Sequence, residues 1–329
     1  MASLTLEGKD NRMNQLITGI HHVTALASDA QRNLDFYTGV LGLRMVKKTV
    51  NFDAREVYHF YYGDESGNPG SILTFFPYDG LAKGRHGKGF LNTTAFSVPF
   101  SALDFWLLRL KRFQVAYKPP QERFFNEVAV YLEDPDGTGL ELIFNENDAR
   151  PGFTYGNIPV EYSIKGFYSV EIWQDGYERT GSVLTEQLNH ILVKESGNRF
   201  RFAAQDAPGN FIDILCTPDG PKGIAGSGTV HHIAFSTPDK QSQEAVRERL
   251  SLGNFHPTEV KDRKYFSSIY FREPGGVLFE VATTGPGFAV DEEKNDLGGK
   301  LQLPEWLEKD RNKIETTLTP VALHLEKFK

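Results

Sequence analysis

The chain has 329 residues, enough for two domains with full cores or one large one. Its net charge of −7 is scattered along the sequence with both signs present, so no basic stripe marks a nucleic-acid partner. A single cysteine, Cys216, excludes an internal disulfide and a thiolate-rich metal site, and no apolar run approaches the roughly 20 residues that span a bilayer.

The first dozen residues lack the apolar stretch of a secretory leader and read as an extension ahead of Met13; a cytoplasmic protein, with homo-oligomerisation left open, is the simple expectation. A strand then runs from Ile20 through His21, His22, Val23 and Thr24 to Leu26. Asp29 to Tyr37 reads as helix, ended by Gly39 and Gly42, and further strands close with Ile72–Phe76. Tyr58–Tyr62 reads as a strand whose two faces build core and pocket wall. The same order returns from Thr94: Ser101 is placed to cap a helix carrying Leu103, Trp106, Leu107 and Leu110 on one face, and Leu140–Phe144 is the closing strand. Phe75–Phe76 and Phe124–Phe125 are core pairs first and pocket walls second.

From Tyr168 a third round follows, with a helix over Thr180–Leu192 and a closing strand Phe211–Leu215 that continues into a buried Cys216. The fourth opens at His232, has a helix from Asp239 to Leu250 ended by Gly253, and closes with Leu278–Val281. Connections at 78–89, 149–165 and 218–228 are rich in Gly, Pro or Lys, and a tail from about 286 holds a helical stretch near Glu305–Thr316 packed on the outside. The interval of roughly 65–75 residues suits a small supersecondary module. The fold class is therefore α+β: four tandem βαβββ modules, divided as 17–148 (modules one and two), 166–285 (modules three and four) and a tail 286–329.

Two modules open on a histidine pair, His21-His22 and His231-His232, each followed at the same distance by Asp29 or Asp239. Glu280 lies inside an apolar strand, where an unpaired carboxylate would cost several kcal/mol. Two His and a carboxylate with coordination positions to spare suit a non-haem Fe(II) site, although the same set also holds Mn(II). Modules one and two offer His22, Thr74, Thr94 and Glu141; modules three and four offer Tyr168, Asp213, His232 and Glu280. Modules one and four offer His22, Thr74, His232 and Glu280, a full triad with a harmless fourth position. If paired modules share one site, the ends of the chain should thus meet.

Strand alternation puts Ile20, His22, Thr24 and Leu26 on one face and turns His21 and His231 away. Those two are either hydrogen-bonded core histidines or proton-transfer groups, with His231 preferred as general acid/base because imidazole titrates near neutral pH. Glu141 reads as a salt-bridge or interface carboxylate rather than part of a second site. His59, His86, His190 and His256 read as ordinary residues without partners.

The spacing of His22 and Asp29, the run Phe36-Tyr37-Thr38-Gly39-Val40-Leu41-Gly42-Leu43 and Asp134-Pro135-Asp136-Gly137 before Glu141 resemble the vicinal oxygen chelate superfamily of glyoxalases and extradiol dioxygenases. The four-module length and doubled His pairs resemble its ring-cleaving para-hydroquinone 1,2-dioxygenase branch. That resemblance implies paired modules that share one site, and so two cup-shaped mixed sheets, modules one with four and two with three. It implies metal ligands His22, His232 and Glu280, with His21, Thr24, His231, Arg263 and Tyr270 around them. It also implies Fe(2+) as cofactor and a hydroquinone or catechol plus O2 as substrates, with Tyr270 and Arg263 orienting the ring and stabilising oxyanions. The rival readings are a glyoxalase-like isomerase or lyase, which wants four protein ligands where Thr74 stands, and a non-enzymatic binder of aromatic compounds.

Overall fold

The computed structural model describes residues 16–123, 127–153 and 155–329; the N-terminal extension and the Phe124–Phe125 pair lie outside them. Module one holds β1 (Gly19–Ala27), β2 (Arg44–Asn51), β3 (Ala54–Gly63) and β4 (Ile72–Pro77). Module two holds β5 (Phe90–Pro99), β6 (Gln121–Arg123), β7 (Glu127–Glu133) and β8 (Gly139–Asn145). Module three holds β9 (Phe167–Gln174), β10 (Ile191–Ser196), β11 (Arg199–Ala203) and β12 (Phe211–Cys216). Module four holds β13 (Val230–Thr237), β14 (Lys261–Asp262), β15 (Phe266–Arg272) and β16 (Leu278–Pro286). Each module carries its helical segment between its first and second strands.

Among the described residues these strands form two eight-stranded sheets, in the orders β14-β15-β16-β13-β1-β4-β3-β2 and β10-β11-β12-β9-β5-β8-β7-β6. Modules one and four therefore share a sheet, as do two and three, which is the pairing that the ligand combinations predict. β1 lies antiparallel to β13 at the centre of the first sheet, flanked in parallel by β4 and β16, and β5 lies antiparallel to β9 at the centre of the second. The glycine-rich connections 78–89 and 218–228 cross each other through backbone bridges at Lys83–Ser227, Arg85–Ile224 and Lys88–Lys222. A Cβ on Gly87 would sit 2.4 Å from the Pro221 carbonyl oxygen, so glycine is what permits that crossing.

The helices follow their signals in the main, with departures in modules two and three. Asp29 and Asp239 each cap their helix by accepting a backbone N–H, from Arg32 and Ser242 at 2.8 Å. Ser101 does not cap: the chain enters the Leu103–Arg112 helix through a 3-10 turn at Phe100–Ala102, and no side chain caps it. The third helical segment covers Glu178–Gln187 rather than Thr180–Leu192, because Asn189 takes a left-handed φ of 55° and β10 starts at Ile191. Cys216 ends its strand half-buried rather than in the core. No helix among the described residues is long and apolar enough to cross a membrane.

The tail is short helices at Glu305–Glu308 and Arg311–Thr317. Leu303, Leu307, Ile314 and Leu318 pack in one buried cluster with Val50, beside Phe52 and Tyr58. Burial of each such side chain contributes about 1.5–3 kcal/mol, so the tail braces the β2–β3 turn. That turn forms part of the wall described next.

Candidate metal centre

Alternation along β1 is broken where the sequence reading assumed it held. In the β1–β13 ladder Ile20 faces Phe235 and His22 faces Ala234, which leaves His21 as an extra, bulged residue. Thr24 faces His232 and Ala25 faces Val230, which makes His231 the bulged residue of the other strand. Ile20 consequently joins Val23, Ala25 and Ala27 in the core instead of sharing the face of His22, and Val230 joins Ile233 and Phe235. A bulge re-aims side chains next to it. Here it brings each outer imidazole against its neighbour: His21 Nδ1 is 2.9 Å from His22 Nδ1, and His231 Nδ1 is 2.7 Å from His232 Nδ1. The outer histidines thus do not simply point away.

The inner histidines then present Nε2 to a common point. His22 on β1, His232 on β13 and Glu280 on β16 are 2 %, 5 % and 0 % exposed, with one ligand atom of each within 4.8 Å of the others. The two Nε2 atoms are 3.3 Å apart, and Glu280 Oε2 lies 3.4 Å from His22 Nε2 and 2.9 Å from His232 Nε2. The two contacts of Glu280 Oε2 lack the alignment of hydrogen bonds, so it is a buried carboxylate oxygen without a donor. Three lone-pair atoms converging on one point in the dry centre of a sheet fit a divalent cation, which removes the desolvation cost that hydrogen bonding here does not.

Proton bookkeeping agrees. If both Nε2 atoms carry lone pairs, both Nδ1 atoms carry protons and donate to His21 and His231, which are then Nε2–H tautomers. His21 is buried and also bonds the backbone of Thr283; burial, then the adjacent His22 ring, pushes it down to about 3, so it is neutral. Burial raises the Glu280 carboxyl, and His22 and His232, when protonated on Nε2, bring it well below its ordinary range; with both Nε2 atoms deprotonated, a divalent cation takes over that role. Ser268 donates its hydroxyl to Glu280 Oε1, which leaves Oε2 as the oxygen facing the histidines.

A cavity of about 370 Å³ opens on this cluster. Leu26, Phe52, Phe76, Phe266 and Leu278 give it apolar walls; His59, Tyr61, His231, Arg263 and Tyr270 give it polar ones. Arg263 donates from Nε to the Tyr270 hydroxyl at 3.2 Å and from Nη1 to Asp53 of the β2–β3 turn at 3.2 Å. Burial first, then Glu280, raises the Tyr270 phenol well above its usual value, so it stays protonated. Thr24 sits 2.8 Å from Thr74, hydroxyl to hydroxyl. All eight residues singled out from the sequence are therefore within this cluster or its immediate surroundings.

Three of the histidines read as ordinary have partners. His59 has partners: Nε2 is 3.0 Å from Thr74 Oγ1 and Nδ1 is 2.9 Å from the Tyr61 hydroxyl, and it lines the cavity. His86 and His190 likewise contact backbone oxygens of Gly228 and Leu188, at 2.9 and 2.8 Å. The signal for His59 was its two-residue spacing from Tyr61 on a strand already read as pocket wall.

The equivalent centre of the second sheet holds Glu141 in an ion network instead. Arg123 pairs with Glu141 and, at 2.9 Å, with Asp213; Arg201 reaches Asp213 at 2.7 Å and Glu127 at 2.7 Å; Arg199 pairs with Glu171. Guanidinium groups occupy the place that His22 and His232 leave for a cation in the first sheet.

Comparison with known proteins places this geometry. The family described as Glyoxalase/Bleomycin resistance protein/Dioxygenase superfamily matches residues 19–142. A Bacillus subtilis (strain 168) protein named "Putative ring-cleaving dioxygenase MhqO" is 41 % identical over 302 residues, 92 % of this chain and 96 % of that one. The chlorohydroquinone/hydroquinone 1,2-dioxygenase of Sphingobium indicum is 32 % identical over 321 residues, 95 % of this chain and 99 % of the relative. A crystal structure titled "putative dioxygenase" from Bacillus subtilis superposes with a TM-score of 0.89 at 41 % identity, covering 94 % of this chain and 99 % of the other.

Proposed function

Because the chain belongs to the glyoxalase/bleomycin resistance protein/dioxygenase superfamily, we propose that it is an Fe(II)-dependent ring-cleaving dioxygenase acting on hydroquinone-type aromatics with O2. The observation that carries this reading is the buried His22–His232–Glu280 cluster at the floor of an aromatic-walled cavity. Three protein ligands on one side suit an ion that must also take up substrate and oxygen. Bound Fe(II) supplies the electron-transfer capacity and open coordination positions that a reaction between an aromatic diol and O2 requires.

The chain's own residues do the rest. Phe52, Phe76 and Phe266 accept an aromatic ring and exclude water from the cavity. Tyr270, whose oxygen already accepts from Arg263, has its own proton to donate to an oxygen of the substrate. The Arg263 guanidinium, balanced by Asp53, stabilises negative charge that develops on the opening ring. His231 lines the cavity and, through its Nδ1 contact, is coupled to His232; its Nε2–H is the proton available to a substrate oxygen. His21 and Thr24 serve differently, by holding His22 and Thr74 in place.

The isomerase alternative asks for a fourth protein ligand. Thr74 fills that position, and its hydroxyl is already engaged by Thr24 and His59. The test is oxygen uptake by anaerobically Fe(II)-loaded protein against hydroquinones and catechols. Uptake with a ring-opened product, absent in a Glu280→Ala variant that no longer holds iron, is the expected result. Iron-loaded wild type that consumes no oxygen with any of these diols overturns the proposal.

A further inference from the structure

Modules one and four face each other about the centre of their shared sheet, and the strand registers say which residues are counterparts. On β15–β16, Tyr270 is opposite Glu280; on β3–β4, Tyr61 is opposite Thr74. Two residues earlier on the respective strands, Ser268 bonds Glu280 and His59 bonds Thr74. Tyr61 is thus the module-one twin of Tyr270, and both line the cavity. β3 and β15 are each second from an edge of the eight-stranded sheet, so the two phenols approach the cavity from opposite flanks.

Each phenol is held by a partner that leaves it one hydrogen-bonding position. Tyr270 accepts from Arg263 and keeps its proton to donate. Tyr61 is bound to His59 Nδ1, whose other nitrogen is committed to Thr74. If His59 Nε2–H donates to Thr74, Nδ1 accepts the Tyr61 proton and the phenol oxygen can accept from a ligand. In the other tautomer Nδ1–H donates to Tyr61, whose own proton is then free to donate. Either way the Tyr61 hydroxyl retains a position for a hydroxyl group. His59 packs against Tyr61 and Phe76, with ring centroids 4.0 and 4.3 Å apart, which fixes its plane.

We propose that Tyr61 is a substrate-binding residue, oriented by His59 as its positioning residue, and that it engages one hydroxyl of an aromatic diol from the flank opposite Tyr270. A para-diol carries hydroxyls at opposite ends of its ring and matches a phenol on each flank. An ortho-diol presents both to one side. The Tyr61–His59 pair is therefore a specificity element for para-diols. This rests on the function proposed above.

The experiment measures dissociation constants of hydroquinone and of phenol for anaerobic Fe(II)-loaded protein, with iron content determined in the same samples. Phenol has a single hydroxyl and leaves Tyr61 without a partner. Tyr61→Phe should weaken hydroquinone about tenfold, the value of one ligand hydrogen bond, while phenol affinity and iron content stay as in wild type. His59→Leu should reproduce that selective loss. His59→Asn, which keeps a polar group near the Nδ1 position, should recover most of it.

Equal weakening of both ligands, or no weakening, overturns the assignment, since a merely structural role moves both constants together. Wild-type protein that holds iron but binds no hydroquinone removes the proposed function and this inference with it. A lost selectivity effect alone leaves the function standing.

Discussion

Ser268→Ala tests whether Glu280, the proposed third ligand, is held in place from outside the cluster. Ser268 is fully buried on β15, and its hydroxyl donates to Glu280 Oε1, the oxygen that does not face the histidines. Alanine removes one charge-assisted hydrogen bond and no other side-chain atom. Such bonds contribute about 1.5–3 kcal/mol, which at 1.4 kcal/mol per decade corresponds to about 10–100-fold. Loss of a partner that orients a metal ligand falls in the same range. Without the anchor, Glu280 can rotate and exchange Oε2 for other orientations, so divalent-metal affinity should fall about 10–100-fold. Competition with a chromogenic chelator, using Mn(II) in air and Fe(II) under argon, reads this directly. The opposite sign is physically possible. If Ser268 only compensates the buried charge of the empty protein, its removal destabilises that state more than the metal-bound one and tightens binding. Unchanged or tighter metal binding would therefore refute the positioning argument.

Arg201→Met breaks the ion network of the second sheet, leaving Asp213 and Glu127 without two of their charged contacts each. Removing one side of a buried pair costs about 3–5 kcal/mol, which lowers the melting temperature by roughly 4–7 °C for a chain of this length; calorimetry should show this with metal affinity unchanged. The same variant has a pH signature. Burial alone would raise the Asp213 carboxyl, but Arg201, Arg123 and Arg199 together hold it below its ordinary value. A carboxylate depressed in the folded state stabilises above its unfolded pKa of about 4 and loses that contribution as pH falls through the folded value. The stability gap between wild type and Arg201→Met should therefore be widest near neutrality and narrow below about pH 4. Urea denaturation at several pH values checks it, and a gap that widens on acidification contradicts the assignment.

The sequence reading reached the four modules, their pairing and the His22–His232–Glu280 cluster, because each depends on patterns visible in one dimension: alternation, turn residues and a motif that occurs twice. A carboxylate in an apolar strand and two repeated His pairs carry their own warning, since neither is tolerated without a partner. What lay beyond it depends on contacts between distant segments. The two bulges cannot be read from His21 or His231, because a bulge is a relation between β1 and β13 rather than a property of either strand. They decide which way four imidazoles face, and they move Ile20 from the site to the core. His59 was passed over partly for the same reason: its partner Thr74 is 15 residues away on another strand, and only the two-residue spacing from Tyr61 pointed to the pocket wall. The third helix ended early because Asn189 leaves the helical region, a choice that apolar periodicity does not register.

The contrast between the two sheets follows from what stands at equivalent positions of one repeated module. In both, the first and last strands of paired modules bring four side chains to a central point. In the first sheet these are His22, Thr74, His232 and Glu280, a set with three lone-pair ligands and one carboxylate charge. In the second the strand registers put Thr93, Glu141, Ser169 and Asp213 there, not the Thr94 and Tyr168 read from the sequence, because Asn92 and Tyr168 are the bulged residues of that sheet; the set has two carboxylates and no imidazole. Two buried carboxylates need cations, and neighbouring strands supply arginine at 123, 199 and 201. Three guanidinium groups then engage the carboxylate oxygens that a divalent ion would need, so the charge of that centre is already compensated by ion pairs. The imidazoles of the first sheet add no fixed charge, and Glu280 is left with one oxygen unsatisfied. The same architecture therefore yields one centre that is electrostatically closed and one that needs a cation to be complete, and the aromatic cavity opens on the second kind.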